Sequence, residues 1–86
     1  MMDALRELKN DIVQNNIDRM RYEILEFGNS CRTRDYSKES YDHVLETYDK
    51  YNEILKENKL ENGRVDAAMA FIKDKYDGYL RDGFPF

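Results

Sequence analysis

The chain has 86 residues, of which 41% are hydrophobic and 37% charged, and its formal net charge is −4. This composition indicates one globular domain and excludes a disordered segment, while the acidic balance argues against autonomous nucleic-acid binding through an overall basic surface. Because neither a run of about 20 apolar residues nor a secretory signal occurs, we expect a cytoplasmic protein without a transmembrane span.

The first predicted helix carries two series of apolar residues at helical spacing. The first series is Leu5, Leu8 and Ile12, and the second is Val13, Ile17, Met20, Ile24 and Phe27. The shift of one residue between them predicts a bend or a break near Asn15 and Asn16, because the apolar face must rotate to keep facing one core. Asp3 can cap this helix and Gly28 can end it, which predicts a helix over residues 3–27.

A second helix is predicted over residues 38–57, with Ser37 as its N-cap. Its apolar face, where we expect tyrosine hydroxyls at the edge, comprises Tyr41, Val44, Leu45, Tyr48, Tyr51, Ile54 and Leu55. A third helix is predicted over residues 63–81, capped by Asn62, with Asn58 left-handed at the end of the second helix. Its apolar positions are Val65, Ala68, Met69, Ile72, Tyr76 and Leu80. The fold class is therefore all-α, a three-helix domain with a helix-turn-helix-like corner between helices 2 and 3.

Residues with catalytic or metal-binding chemistry are few in this chain. Aligned on Gly63, the corner puts Leu60 and Met69 at two positions where a calcium loop needs oxygen ligands. Cys31 is the only cysteine, and the arginines beside it would favour its thiolate, but His43, the only histidine, belongs to a separate helical pattern. We therefore predict a non-enzymatic protein with no metal or other cofactor.

The second helix carries a regular series of acidic residues. They recur every three or four positions and so share one side of the helix: Glu39, Asp42, Glu46, Asp49, Glu53 and Glu57. We call this set the acidic ridge. It is interpreted either as a solvated face or as a surface that docks on a basic partner or mimics the charge of a nucleic-acid backbone.

Basic residues are concentrated around the end of the first helix and the loop that follows. Together with one arginine of the corner, the candidate contacts to nucleic acid are Arg19, Arg21, Arg32, Arg34 and Arg64. A local patch can make phosphate contacts although the total charge is acidic. Direct DNA binding therefore stays an alternative.

Two stretches resemble a group of phage proteins. They are DRMRYEILEFG at residues 18–28 and YDKYNEILKENKLENGRVDAAMAFI at residues 48–72. Both are similar to small phage-encoded helical proteins in which an arginine-bearing helix precedes a Y-x-x-Y-H-x-L-G-G-N-G turn and an apolar helix. Such proteins occur beside holins, or as the homeodomain-like part of phage replication organisers, which dimerise and bind DNA.

The resemblance extends to particular residues of the corner. Tyr48 and Tyr51 correspond to the tyrosines of the turn, Asn62 and Gly63 to its Asn-Gly, and Val65 and Met69 to the apolar positions that follow. Asn52 stands where that pattern often has histidine, and ENKLE lengthens the turn. The resemblance implies a helix-turn-helix-like fold and a phage or prophage origin.

From these observations we expect a phage accessory protein that binds another macromolecule in the cytoplasm of an infected or lysogenic bacterial host. In the preferred interpretation its acidic ridge inhibits a nucleic-acid-binding host protein by covering a basic surface. The alternatives are a DNA-binding module of the replication-organiser type and a holin-associated structural subunit. A homodimer through exposed aromatics stays open, as do the role of Cys31 and whether the tail Phe84-Pro85-Phe86 covers the core or contacts another subunit.

Overall fold

The computed structural model describes residues 2–61 and 65–85, with side chains from residue 4 onward. Within these residues the chain forms three helices and no strand: α1 at Met2–Ser30, α2 at Lys38–Glu57 and α3 at Asp66–Asp82. The predicted all-α, three-helix fold is confirmed. The helix-turn-helix-like geometry of the corner is not, because residues 62–64 lie outside the described part.

The core lies where the second half of α1 meets α2 and α3. Its buried side chains are Ile17, Met20, Ile24, Cys31, Tyr41, Val44, Tyr51, Leu55, Val65, Met69 and Ile72. Nearly all of them are apolar positions of the predicted helices. Leu80, an apolar position of the third predicted helix, is instead 53% exposed. Thr47 is buried as well, and its hydroxyl is satisfied there by a hydrogen bond that it donates to the carbonyl of His43 at 3.0 Å.

Helix α1 runs past its predicted end at residue 27. Gly28 does not stop it, because this glycine serves packing instead: a Cβ placed on Gly28 would lie 3.1 Å from the Cβ of Ala68 in α3. The close approach of α1 and α3 is a tertiary contact that the local pattern does not contain. The helix is also continuous beside Asn15 and Asn16, where the sequence predicts a bend or a break. The predicted cap Asp3 lies outside the residues whose side chains are described.

The shift between the two apolar series turns the first one away from the core. One residue corresponds to about 100° of rotation around a helix. Leu5, Leu8 and Ile12 are accordingly 70%, 60% and 56% exposed, although the helix that carries them is unbroken. The molecule measures 56 × 18 × 17 Å, and the first third of α1 projects beyond the packed helices.

Both ends of α2 are fixed by local hydrogen bonds. Ser37 has φ −72° and ψ 163°, and its hydroxyl accepts a hydrogen bond from the backbone N–H of Ser40 at 3.4 Å, which confirms the predicted N-cap. Glu39 lies in the first turn, where the helix dipole favours a carboxylate. The helix therefore starts at the residue that the sequence predicts.

Helix α2 ends at Glu57 as predicted, but the left-handed residue that follows lies one position later than the sequence predicts. Lys59, with φ +54°, adopts the left-handed conformation, whereas Asn58 has φ −100°. The N–H of Leu60 donates to the carbonyl of Leu55 at 2.8 Å, and the N–H of Lys59 donates to that of Lys56 at 3.3 Å. These are the two bonds of a Schellman motif, and Lys59 occupies the left-handed position that glycine usually takes.

Helix α3 begins at Asp66, three residues after the predicted start. The predicted cap Asn62 and the neighbouring Gly63 lie outside the described residues. Val65 occupies the N-cap position, makes no side-chain cap hydrogen bond and is fully buried. At the other end Gly83 has φ +98°, and its N–H donates to the carbonyl of Tyr79 at 2.7 Å.

The segment after α3 folds back onto the core. The ring of Phe84 lies 6.0 Å from that of Tyr41, 5.8 Å from that of Tyr76 and 5.2 Å from that of Tyr79. Such tilted and edge-to-face pairs stabilise aromatic clusters beyond simple burial. The sequence leaves open whether the tail covers the core or contacts another subunit. Phe84 covers the core, and Phe86 lies outside the described residues.

Candidate interaction surfaces

The acidic ridge lies on the side of α2 that faces away from the core. Five of its six residues are exposed: Glu39, Glu46, Asp49, Glu53 and Glu57. Within the described part of the chain, none of these five carboxylates forms an ion pair. At a rise of about 1.5 Å per residue, the ridge extends over about 27 Å of the helix axis.

Asp42 differs from the other ridge residues because the fold uses its carboxylate. It accepts hydrogen bonds from the Tyr76 hydroxyl at 2.8 Å and from the Lys38 ammonium at 3.1 Å. These two donors hold the pKa of Asp42 below its ordinary value, and the same contacts raise the pKa of Tyr76 and of Lys38. Asp42 therefore joins α2 to α3 and leaves five ridge residues to face outward.

Most of the net charge of the chain resides on α2. This helix has six carboxylates against three lysines, a net −3 of the total of −4. The lysines are Lys38, which is paired with Asp42, and the exposed Lys50 and Lys56. The outer face of α2 therefore carries a net negative charge, with Lys50 and Lys56 among its carboxylates.

The two candidate arginines of α1 lie on different sides of that helix. Two residues correspond to about 200° of rotation, so Arg19 and Arg21 diverge. The Nε of Arg21 donates to the hydroxyl of Tyr51 at 3.1 Å, and its guanidinium lies 5.9 Å from the centroid of that ring. Arg19 is exposed, whereas Arg21 is half-buried and serves the contact between α1 and α2.

The loop after α1 brings another arginine beside α3. The guanidinium of Arg32 lies 5.1 Å from the ring centroid of Phe71, and the ammonium of Lys75 lies 5.8 Å from the same ring. Arg34 is exposed in this loop, and Arg64 lies outside the described residues. Of the candidate residues, Arg19 and Arg21 therefore lie on different sides of α1, while Arg32 and the α3 residue Lys75 meet at one aromatic ring.

Cys31 lies inside the core and not on the loop surface. Its thiol donates to the carbonyl of Gly28 at 3.5 Å. Burial raises the pKa of Cys31, and this effect outweighs the opposing charges of Lys75 and Arg32. Because a nucleophilic cysteine requires an accessible thiolate, this environment favours a structural thiol, while His43 is exposed on α2.

Tyr41 carries a buried hydroxyl that the apolar pattern does not reveal. The sequence predicts tyrosine hydroxyls at the edge of the core, but Tyr41 is fully buried. Its hydroxyl has no hydrogen-bond partner within the described part of the chain. Burial raises the pKa of this hydroxyl strongly, and the nearby Cys31 and Tyr79 raise it further. The prediction was wrong here because Phe84 and α3 close over the edge of this face.

A groove of about 290 Å³ lies between α1 and α2. Its lining includes Tyr22, Glu23, Glu26, Phe27, Tyr36 and His43. A second depression with the ridge residue Glu39 adjoins it and shares Phe27, Tyr36 and His43. We call these two depressions together the α1–α2 groove. Sequence reasoning missed it, since the i, i+3 spacing of Glu23 and Glu26 indicates a shared face but not what lies opposite.

Comparison of the chain with protein-family models, with curated proteins and with solved structures finds no match. Among the helices that the structure describes, none is long and apolar enough to cross a membrane. In residues 2–61 and 65–85, no group of three or more His, Cys, Asp or Glu side chains is placed to hold a metal ion.

Proposed function

We propose that this chain is a non-enzymatic binding protein whose acidic ridge docks on a basic surface of another macromolecule. The observation that carries the proposal is the row of five exposed ridge carboxylates that form no ion pair within the described residues. Like charges at i, i+3 and i, i+4 repel one another in the free chain. A basic partner would relieve this repulsion, and the negative face would steer its approach.

The sign of the ridge charge favours a protein as the partner, because a negative ridge repels nucleic acid and attracts lysines and arginines. Its carboxylates recur about every 4.5 to 6 Å along the α-helix axis, and the phosphates of each strand recur about every 3.4 Å of duplex axis, so both present a regular row of negative charge. The ridge would therefore cover a cluster of lysines or arginines that normally binds nucleic acid. With the resemblance to phage proteins, this makes inhibition of a nucleic-acid-binding host or phage protein the preferred function.

Affinity capture from a bacterial host lysate, followed by mass spectrometry, tests this proposal. We expect a basic protein to be retained at about 50 mM salt and largely lost at about 500 mM, because exposed charges are screened over a few ångströms at high salt. Capture that does not depend on salt would point to an apolar interface. A captured set without basic proteins would contradict the proposed partner chemistry.

The DNA-binding alternative has one contact in its favour, the meeting of Arg32 and Lys75 at the ring of Phe71. A gel-shift titration with duplex DNA at low and moderate salt separates this alternative from the preferred function. Phosphate contacts predict an affinity that falls steeply with salt. The absence of a shift at micromolar protein would exclude it. Co-fractionation with membranes would instead support a holin-associated subunit.

A homodimer stays a prediction, and two exposed surfaces could form it. Phe84 packs on the core, but the aromatic Tyr22 is 67% exposed, and Leu5, Leu8 and Ile12 are exposed on one side of α1. Sedimentation velocity of the wild type and of Leu8→Lys would decide whether this series self-associates. A dimer that the substitution disrupts places the interface there, a dimer that survives places it elsewhere, and a wild-type monomer excludes it.

A further inference from the structure

We propose that the α1–α2 groove binds an arginine side chain of a basic protein segment. The inference rests on the proposed function and extends it, because Glu39 belongs both to the acidic ridge and to the lining of the groove. A basic segment lying along α2 would therefore reach the groove without leaving the negative surface. The groove would select one residue type within that segment, which the ridge alone cannot do.

The charge of the groove favours a cation. Glu23 and Glu26 are exposed at its rim, and neither has an ion-pair partner within the described part of the chain. Glu39 adds a third carboxylate in the adjoining depression. Among the described residues that line the groove there is no lysine or arginine. A guanidinium placed here would gain charge-assisted hydrogen bonds, whereas an anion would be repelled.

The aromatic lining favours arginine over lysine. Phe27 and Tyr36 pack with ring centroids 4.9 Å apart at the apolar base of the groove, and Tyr22 is 67% exposed beside them. A guanidinium is planar and weakly hydrated, so it stacks on such rings while its methylene stem covers apolar surface. The chain itself uses this contact where Arg21 lies over the ring of Tyr51.

The size of each depression suits a single side chain. The two depressions of the groove have volumes of about 290 Å³ and about 360 Å³, which lie near the lower limit of small-molecule pockets, roughly 300 to 1,000 Å³. Each depression can therefore hold one long side chain. The occupant that satisfies charge, stacking and size together is therefore an arginine of an extended segment.

Titration of the ¹⁵N-labelled chain with the peptide acetyl-Gly-Gly-Arg-Gly-Gly-amide, followed by NMR, tests this inference. We expect the amide signals that shift to be those around Glu23, Glu26, Tyr36 and His43. A peptide with citrulline in place of arginine keeps the shape but lacks the charge, and we expect it to bind about tenfold more weakly.

Three variants separate the contributions of charge and stacking. Glu23→Gln with Glu26→Gln should weaken arginine-peptide binding about tenfold, and Tyr22→Leu, which keeps an apolar side chain, should weaken it about threefold. As a control, Glu7→Gln with Glu61→Gln also removes two carboxylate charges, but at exposed sites outside the groove. This control should leave the affinity within about twofold of wild type, because distant exposed charges are screened.

The inference is overturned by any of three results. These are equal binding of the arginine and citrulline peptides, equal loss in the two double variants, and shifts confined to the outer face of α2. Absence of binding at about 10 mM peptide, an affinity below roughly 3 kcal/mol, would also overturn it. Failure of the proposed function would give a different result. In that case a variant with reversed ridge charges would still capture the partner, and the arginine peptide would still bind the groove.

Discussion

Tyr41 and Tyr51 lie on the same face of α2, but their hydroxyls have different environments. Both side chains are fully buried. The Tyr51 hydroxyl accepts a hydrogen bond from Nε of Arg21 at 3.1 Å, whereas that of Tyr41 has no hydrogen-bond partner within the described residues. Helical periodicity assigns both residues to the core, but it cannot assign partners to their polar atoms. The partner of the Tyr51 hydroxyl comes from α1, whereas Tyr79 of α3 and Phe84 contact Tyr41 through their rings.

This contrast predicts opposite effects of one chemical change. Tyr41→Phe removes an unsatisfied hydroxyl and should raise the free energy of unfolding by about 1 kcal/mol. Tyr51→Phe removes a hydrogen-bond acceptor and should lower it by about 1 kcal/mol. Urea unfolding followed by circular dichroism measures both. A stability change of the same sign in the two variants would contradict this assignment of the hydroxyls.

The raised pKa values of one thiol and three tyrosine hydroxyls predict sensitivity to alkaline pH. The pKa is above its ordinary value of 9.0 for Cys31, and above its ordinary value of 10.0 for Tyr41, Tyr76 and Tyr79. The unfolded chain therefore loses these protons first, so the stabilisation is complete below pH 9 and decreases as the pH rises further. We expect the free energy of unfolding to fall from about pH 9 upward, and less steeply in Tyr41→Phe. A stability that is constant or rises up to pH 11 would contradict this account.

At the scale of the elements, Gly28 and Gly78 show how one residue type serves different purposes within helices. A Cβ on Gly28 would meet that of Ala68 at 3.1 Å, so the residue allows α1 to approach α3. A Cβ on Gly78 would meet only the end of the Arg81 side chain at 3.8 Å. The first glycine is required by packing, whereas the second only lowers the helix propensity of α3.

Substituting the two glycines tests this distinction. Gly78→Ala should raise the free energy of unfolding by about 0.5 to 1 kcal/mol, through helix propensity. Gly28→Ala has the same gain but crowds Ala68, so it should be neutral or destabilising by about 1 kcal/mol. Adding Ala68→Gly to Gly28→Ala should recover part of the loss. Thermal unfolding of the variants measures these effects, and equal stabilisation by both alanines would refute the packing role of Gly28.

The sequence predicts a helix boundary correctly where local residues determine it, and wrongly where a contact with a distant residue does. The start of α2 at Lys38 follows from Ser37 and the apolar spacing, which are local signals, and the spacing of the acidic ridge is local too. The end of α1 was predicted wrongly because Gly28 packs against Ala68, which lies forty residues away in the chain. The α1–α2 groove was missed for the same reason. Its carboxylates Glu23 and Glu26 lie on α1 and Glu39 lies on α2, while the aromatic ring of Tyr36 comes from the loop between these helices.

At the scale of the whole molecule, apolar and charged surfaces are separated. One end of α1 projects with an exposed apolar series, the three helices enclose the core, and the outer face of α2 concentrates the negative charge. The described arginines are distributed among α1, the following loop and the last turn of α3. This arrangement favours binding through α2 to a basic partner over binding of nucleic acid by the chain itself.

The central claim is that the position of the ridge charges, and not the net charge alone, determines binding. Two triple variants separate position from net charge. The ridge-reversal variant combines Glu46→Lys, Asp49→Lys and Glu53→Lys, and the dispersed control combines Glu7→Lys, Glu61→Lys and Asp74→Lys. All six positions are exposed, and each reversal adds two charges, so both variants change the formal net charge from −4 to +2.

The most direct test is the amount of partner that each variant captures at equal concentration, with circular dichroism as the check of folding. We expect the ridge-reversal variant to lose capture and the dispersed control to keep most of it, because close charge pairs contribute more than distant, screened charges. Capture by the ridge-reversal variant at the wild-type level, or equal loss in the two variants, would contradict the assignment of the binding surface to α2.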